Sequence, residues 1–203
     1  MPKTVFEPSI KSRPVYGELS REVGKTHLMI ADAEGAEAIL GVLSDAPPEF
    51  LAITHIMYIP KRSEEKYLAN LQSIGVAQLY IGPSYEASLQ RLRHTLEEEH
   101  MGLQIYLAGT EGLIGQAMRE AILVGIPHSA IQTEHRGSTA RRMQCVHCKG
   151  ITEDVTTDPF ICSHCGLSLF VRDHYSRRLA AYQAVRIDAE YPGNIPESVE
   201  RFK

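Results

Sequence analysis

Apolar residues follow two rhythms along this chain. From Lys25 onward, short unbroken apolar runs alternate with segments whose apolar residues recur every three or four positions. THLMIADA is one such run and reads as a buried strand. In GAEAILGVLSDA the side chains of Ala36, Ile39, Leu40 and Leu43 fall on one helical face. FLAITHIMYIP is a second strand, rich in β-branched residues and closed by Pro60. Ser63 is placed to cap a helix whose first turn holds Glu64, Glu65 and Lys66, with Gly75 past its end. AQLYIG is a third strand. SYEASLQRLRHTLEEEH follows as a helix with Leu89, Leu92 and Leu96 on one stripe. LQIYLAG, EGLIGQAMREAILVG and SAIQTEH complete the series as strand, helix and strand. Strands that alternate with helices of this length predict an α/β fold, a parallel sheet flanked by helices. Strands buried on both faces have no need to alternate polar and apolar residues, which fits the continuous runs.

Three segments follow from the pattern. Residues 1–24 carry Pro2, Pro8 and Pro14 and one short candidate strand, Val15–Leu19, and read as an N-terminal arm. Residues 25–138 form the α/β domain, closed by Gly137 and Ser138. Residues 139–203 form a small cysteine-rich module. Within the module, HYSRRLAAYQAVRIDAE, from His174 to Glu190, reads as a C-terminal helix, and YPGNIPESVERFK as an extended tail.

The candidate chemistry sits in CVHCKGITEDVTTDPFICSHCG, which holds all 4 cysteines of the chain. Cys145 and Cys148 form one C-x-x-C pair, Cys162 and Cys165 the other. A C-x-x-C turn points two thiolates to one side, and two facing turns build a tetrahedral four-thiolate cage of the zinc-ribbon or rubredoxin kind. Gly166, directly after the second pair, suits the tight knuckle; Gly150 follows the first pair one position late, after Lys149. The cage accepts zinc or a single iron. Zinc would be structural, because a closed four-cysteine shell leaves no open position for catalysis. Iron would make a one-electron centre. The polar loop between the pairs, with only Phe160 and Phe170 nearby to shield a metal, favours zinc. His147 and His164, inside the turns, are expected outside the metal shell.

The 203 residues carry a formal net charge of −4. That balance argues against a general nucleic-acid binder. No apolar run reaches the roughly 18 residues that a bilayer span requires, and MPKTVFEPSIKSRP lacks the apolar core of a signal peptide. A cytoplasmic protein is expected, in which paired cysteines stay reduced and bind metal.

The α/β segment resembles the pyridine-nucleotide module of ferredoxin reductases of the phthalate dioxygenase reductase kind. THLMIADAEGAEAIL resembles the module's opening, where that family carries a glycine-rich turn; here the turn is ADAEGAEA, with Gly35 beside Asp32 and Glu34. LQIYLAGTEGLIGQAMREAILVGIPHSAIQTEH resembles its last strand–turn–helix, where a Cys-Gly-Pro triplet normally approaches the nicotinamide; here the triplet is Ala108-Gly109-Thr110. The residues before Lys25 leave no room for a flavin-binding barrel, so a complete reductase is not expected. The string CSHCG…FVRDHYSRRLAAYQAVRIDAE resembles the small subunit of bacterial heme-dependent dimethylamine monooxygenase, and the similarity extends over essentially the whole chain. The resemblance implies an accessory subunit. Its partners would be a heme-binding oxygenase subunit and a flavin/iron–sulfur reductase subunit, with heme, FMN and a [2Fe–2S] cluster in those sister chains. The implied reaction is NAD(P)H- and O2-dependent N-demethylation of dimethylamine to methylamine and formaldehyde.

No catalytic set of the chain's own is legible. His27 and His55, each on a strand, read as core or surface residues rather than ligands. Arg172, Arg177, Arg178 and Arg186, among Tyr175, Leu179 and Tyr182, read equally as a solvated basic face or an interface. Two alternatives stay open beside the subunit reading: a stand-alone zinc-ribbon binding module, and a nicotinamide-binding domain supplied in trans to a flavin reductase subunit.

Overall fold

A computed structural model describes residues 12–61, 64–98 and 101–203. The described residues form two compact units, one of Tyr16–Ser138 and one that joins residues 12–15 to Thr139–Lys203.

The first unit runs β1 (Thr26–Asp32), α1 (Gly35–Leu43), the short α2 (Pro48–Leu51), β2 (Thr54–Ile59), α3 (Glu64–Ser73), β3 (Gln78–Ile81), α4 (Tyr85–Glu98), β4 (Leu103–Gly109), α5 (Glu111–Leu123) and β5 (Ile131–His135). The strands pair in the order β3-β2-β1-β4-β5, and every pairing is parallel. Successive strand residues face opposite sides, so β1, β2, β3 and β4 each feed two cores. Met29, Ala31, Ile56, Tyr58 and Tyr106 pack on one face with Ala36 and Ile39 of α1 and Tyr67 and Leu71 of α3. Leu28, Ile30, Met57, Ile105 and Leu107 pack on the other with Leu92 and Leu96 of α4 and Leu113 and Ile114 of α5. Burial of each large apolar side chain among these stabilises by about 1.5–3 kcal/mol, which keeps both faces mostly apolar; His27, Asp32 and Thr54 are buried polar exceptions on β1 and β2. The expected α/β architecture is the observed one. Ser63 lies outside the described residues, and α4 instead shows its start directly: Ser84 Oγ accepts from Ala87 N at 3.1 Å.

Val15–Leu19 forms no strand. Residues 17–20 run beside β5, but side chains intercept the ladder. Gly17 N donates to Thr133 O at 2.9 Å, whereas the next contacts go to Glu134 Oε2 (from Leu19 N, 2.8 Å) and Gln132 Oε1 (from Ser20 N, 2.8 Å).

The second unit is β-rich: β6 (Arg141–Cys145), β7 (Ile151–Val155), β8 (Thr157–Asp158), β9 (Phe160–Ile161), β10 (Ser168–Ser176), β11 (Ala181–Arg186) and β12 (Val199–Glu200). One sheet has the order β7-β6-β11-β10-β9, and β12 pairs with β8. Here the structure corrects the expected C-terminal helix over His174–Glu190: the segment is a β-hairpin, with β10 and β11 antiparallel and β11 parallel to β6. The turn between them is closed by Ala180 at φ 51. Arg, Leu, Ala and Gln favour a helix locally. The core overrides them, because Tyr182 and Ala184 alternate inward onto Met143, Cys145 and Leu169. Arg172, Arg177 and Arg178 are exposed on the hairpin rather than on a helix face.

Candidate metal centre

The two C-x-x-C segments leave the sheet in the same way. Cys145 ends β6, and Cys162 directly follows β9. Their backbones then repeat one hydrogen-bond pattern, a knuckle. Cys145 N donates to Gly150 O and Lys149 N to Cys145 O, each at 2.9 Å; Cys162 N donates to Leu167 O at 2.9 Å and Gly166 N to Cys162 O at 3.0 Å. The turn demands a left-handed residue after each second cysteine, and Lys149 (φ 65) and Gly166 (φ 70) supply it. Glycine takes that conformation freely; Lys149 pays a steric cost, and its ammonium donates to Val146 O at 2.7 Å.

Closing the knuckles gathers all four sulfurs within 4.8 Å of one another. Cys145 Sγ lies 3.9 Å from Cys165 Sγ, and Cys148 Sγ lies 3.7 Å from Cys162 Sγ. A tetrahedral ion with metal–sulfur bonds of about 2.3 Å needs sulfurs about 3.8 Å apart. The donor set therefore fits a four-thiolate metal ion, and the spacing alone suits zinc and iron equally. Cys145 and Cys162 are buried, while Cys148 and Cys165 are partly exposed. The site is thus embedded on one side in Met143, Val155, Phe160 and Leu169 and open on the other.

The sulfurs titrate unequally. Burial pushes the Cys162 thiol up, but the amide N–H groups of Cys165 and His164 outweigh it and bring it down to about 6. The Leu167 N–H favours the Cys165 thiolate, yet burial and the sulfurs of Cys162, Cys148 and Cys145 push that thiol up to about 12. Four thiolates in so small a volume repel one another, and a bound dication is what lets all four ionise.

The histidines stand beside the cage. His164 Nε2 lies 2.8 Å from Ile151 O, and its ring covers Gly150, where an added Cβ would lie 2.4 Å from His164 Cγ. Ser163 adds a second tie to β7, its N–H donating to Thr152 Oγ1 at 3.2 Å. His164 and Ser163 together clamp the second knuckle onto the first, a role the sequence did not disclose. The only signal was a glycine one position late, at Gly150. His147, the equivalent residue of the first knuckle, is exposed. Arg141 was also missed: its guanidinium is stacked between the rings of Tyr182 and Phe202, at 4.2 and 4.3 Å, and pairs with Asp173 at 2.9 Å.

In the α/β unit, the loops after β1 and β4 meet at the carboxyl ends of those strands. Asp32 Oδ1 accepts from Thr110 N at 2.7 Å, Asp32 Oδ2 accepts from Thr110 Oγ1 at 2.6 Å, and Lys61 Nζ lies 2.8 Å from Asp32 Oδ2. His27 is buried, stacked on Phe50 at 4.1 Å, with Nδ1 3.2 Å from Tyr106 Oη. His55, partly exposed on β2, stands in no metal-ligand group among the described residues.

The profile described as dimethylamine monooxygenase subunit DmmA-like, N-terminal domain, matches residues 8–131, and the companion C-terminal domain matches residues 142–185. The chain belongs to the DmmA-like family. Its second matched domain holds the whole four-cysteine cluster. The chain is also similar to the heme-dependent oxidative N-demethylase delta subunit of Ectopseudomonas mendocina (strain ymp), at 32% identity over 101 residues. That match takes in 50% of this chain and 58% of the relative, so it spans a little over half of the relative's length. Among solved structures, phthalate dioxygenase reductase aligns at 14% identity and a TM-score of 0.47, over 66% of this DmmA-like chain and 45% of that one. The FAD/NAD-binding domain of nitric oxide dioxygenase from Vibrio cholerae O1 biovar El Tor aligns at 14% identity and a TM-score of 0.43, over 62% and 56%. Among the described residues, no helix is long and apolar enough to cross a membrane.

Proposed function

We propose that this DmmA-like chain is an accessory, non-catalytic subunit of a cytoplasmic monooxygenase complex. The complex N-demethylates dimethylamine: dimethylamine, O2, NAD(P)H and a proton give methylamine, formaldehyde, NAD(P)+ and water. Its partners in this reading are a heme-binding oxygenase subunit and a reductase subunit carrying FMN and a [2Fe–2S] cluster. Family membership over both matched domains is the observation that supports the reading. The experiment is co-expression of a tagged chain with candidate sister subunits. Recovery of heme absorbance and NAD(P)H-dependent formaldehyde release with the tag supports it; a monomer that never retains a heme protein overturns it.

In the same reading, Cys145, Cys148, Cys162 and Cys165 ligate one zinc ion, and the metal's task is to fold the second unit. A closed thiolate shell around a d10 ion offers no redox step and no open coordination position. One observation favours a second reading, a single iron that exchanges electrons: Cys148 and Cys165 reach the surface. Metal analysis of the intact complex separates the two. One colourless zinc per chain ends the redox reading; one iron with thiolate-to-iron absorption in the visible ends the zinc reading.

A further inference from the structure

Open parallel sheets bind their ligands in the crevice outside the carboxyl ends of the strands, at the point where the strand order reverses. In this sheet that point lies between β1 and β4. A dinucleotide uses it by laying its pyrophosphate against backbone N–H groups and a bare glycine turn. We propose that the crevice is filled by the protein's own anion, the carboxylate of Asp32, and that the α/β unit therefore takes no dinucleotide.

Two observations carry the inference. Asp32 is only 1% exposed, and its carboxylate already engages the donors a phosphate would seek there: the Thr110 N–H, the Thr110 hydroxyl and the Lys61 ammonium. Those donors stand at the ends of β2 and β4, so one carboxylate ties together three strand ends. The packing around the carboxylate is also tight. An added Cβ on Gly109 would lie 1.9 Å from Asp32 Oδ1, and one on Gly35 would lie 2.3 Å from Ala108 O. The glycines here serve the packing of α1 and Asp32 against the end of β4. Hydride from NAD(P)H then enters the proposed complex through another chain. This holds whichever metal the cysteines bind, because it concerns the other unit.

The test uses the full chain. Calorimetric titration of the wild-type protein with NADH, NADPH and ADP-ribose is expected to give no saturable heat, and none of the three to raise the melting temperature. Saturable binding of any of them overturns the proposal. Asp32→Ala is expected to melt at a lower temperature, with formate restoring most of the loss while leaving the wild type unchanged. A formate effect that is absent, or equal in both proteins, overturns the assignment of Asp32 as resident anion. If the alanine variant does not fold, Asp32→Asn with and without Lys61→Met reads the same pair. Removal of the stranded ammonium should recover melting temperature over Asp32→Asn alone, and no recovery counts against the proposal.

Discussion

Single residues in this chain carry conformational and electrostatic tensions that can be measured. Lys149 holds a left-handed conformation at a position that, in the second knuckle, belongs to Gly166. Lys149→Gly is expected to stabilise the metal-loaded protein by about 0.5–1 kcal/mol, read by denaturant unfolding, because the side chain's steric cost outweighs its exposed hydrogen bond to Val146 O. Gly150→Ala should do the reverse and weaken metal retention, since the new Cβ collides with the His164 ring. His27 is a second case. Burial against Phe50 and Tyr106 lowers its folded pKa below the ordinary 6.5, while Tyr106 is itself pushed up by burial. In the pH window between the folded and unfolded values of His27 the unfolded chain binds the extra proton. Its contribution is therefore complete above pH 6.5 and is lost as pH falls through that value toward the folded one. His27→Phe should show a shallower loss of stability than the wild type between about pH 7.5 and 5.5 in urea unfolding. The cysteine pairs were legible at this scale because a C-x-x-C turn is a local object. The clamp of His164 over Gly150 was not, because knuckle closure alone brings them together.

At the scale of elements, burial on two faces made the parallel sheet readable. β4 is the clearest instance: Leu103, Ile105 and Leu107 feed one core while Tyr106 and Ala108 feed the other. Leu107→Ala should cost about 2–5 kcal/mol in equilibrium unfolding, the usual range for a fully buried leucine in a sheet with little room to collapse. The misread element was the segment of β10 and β11. Residues such as Arg178, Leu179, Ala180 and Ala181 carry high intrinsic helix propensity, and no turn residue of the usual kind separates the strands. What makes β11 a strand is pairing with β6, a partner roughly 40 residues earlier whose position no local window contains, and β10 in turn pairs with β11 and β9.

At the scale of the molecule, each unit has its own core, and only one of them holds the sulfurs. In the zinc reading, the binding energy of a structural site is folding energy, on the order of 10 kcal/mol. Cys148→Ser, or chelation of the wild type, should then release amide protection across residues 139–203 while β1–β5 stay protected, as hydrogen exchange would report. A second unit that keeps its protection without metal would remove the structural role.

What depends on neighbours along the chain is legible in the residues alone: which strands are buried twice, which helices carry an apolar stripe, and that four thiols come as two turns. What depends on partners far apart exists only in the folded chain. Asp32 meets Thr110 across 78 residues, His164 closes over Gly150, and the Arg- and Ala-rich segment becomes a hairpin because β6 is there to pair with it. The physical reason is common to all three. A local pattern states which face of a segment must leave water, but only the folded chain states what that face is buried against.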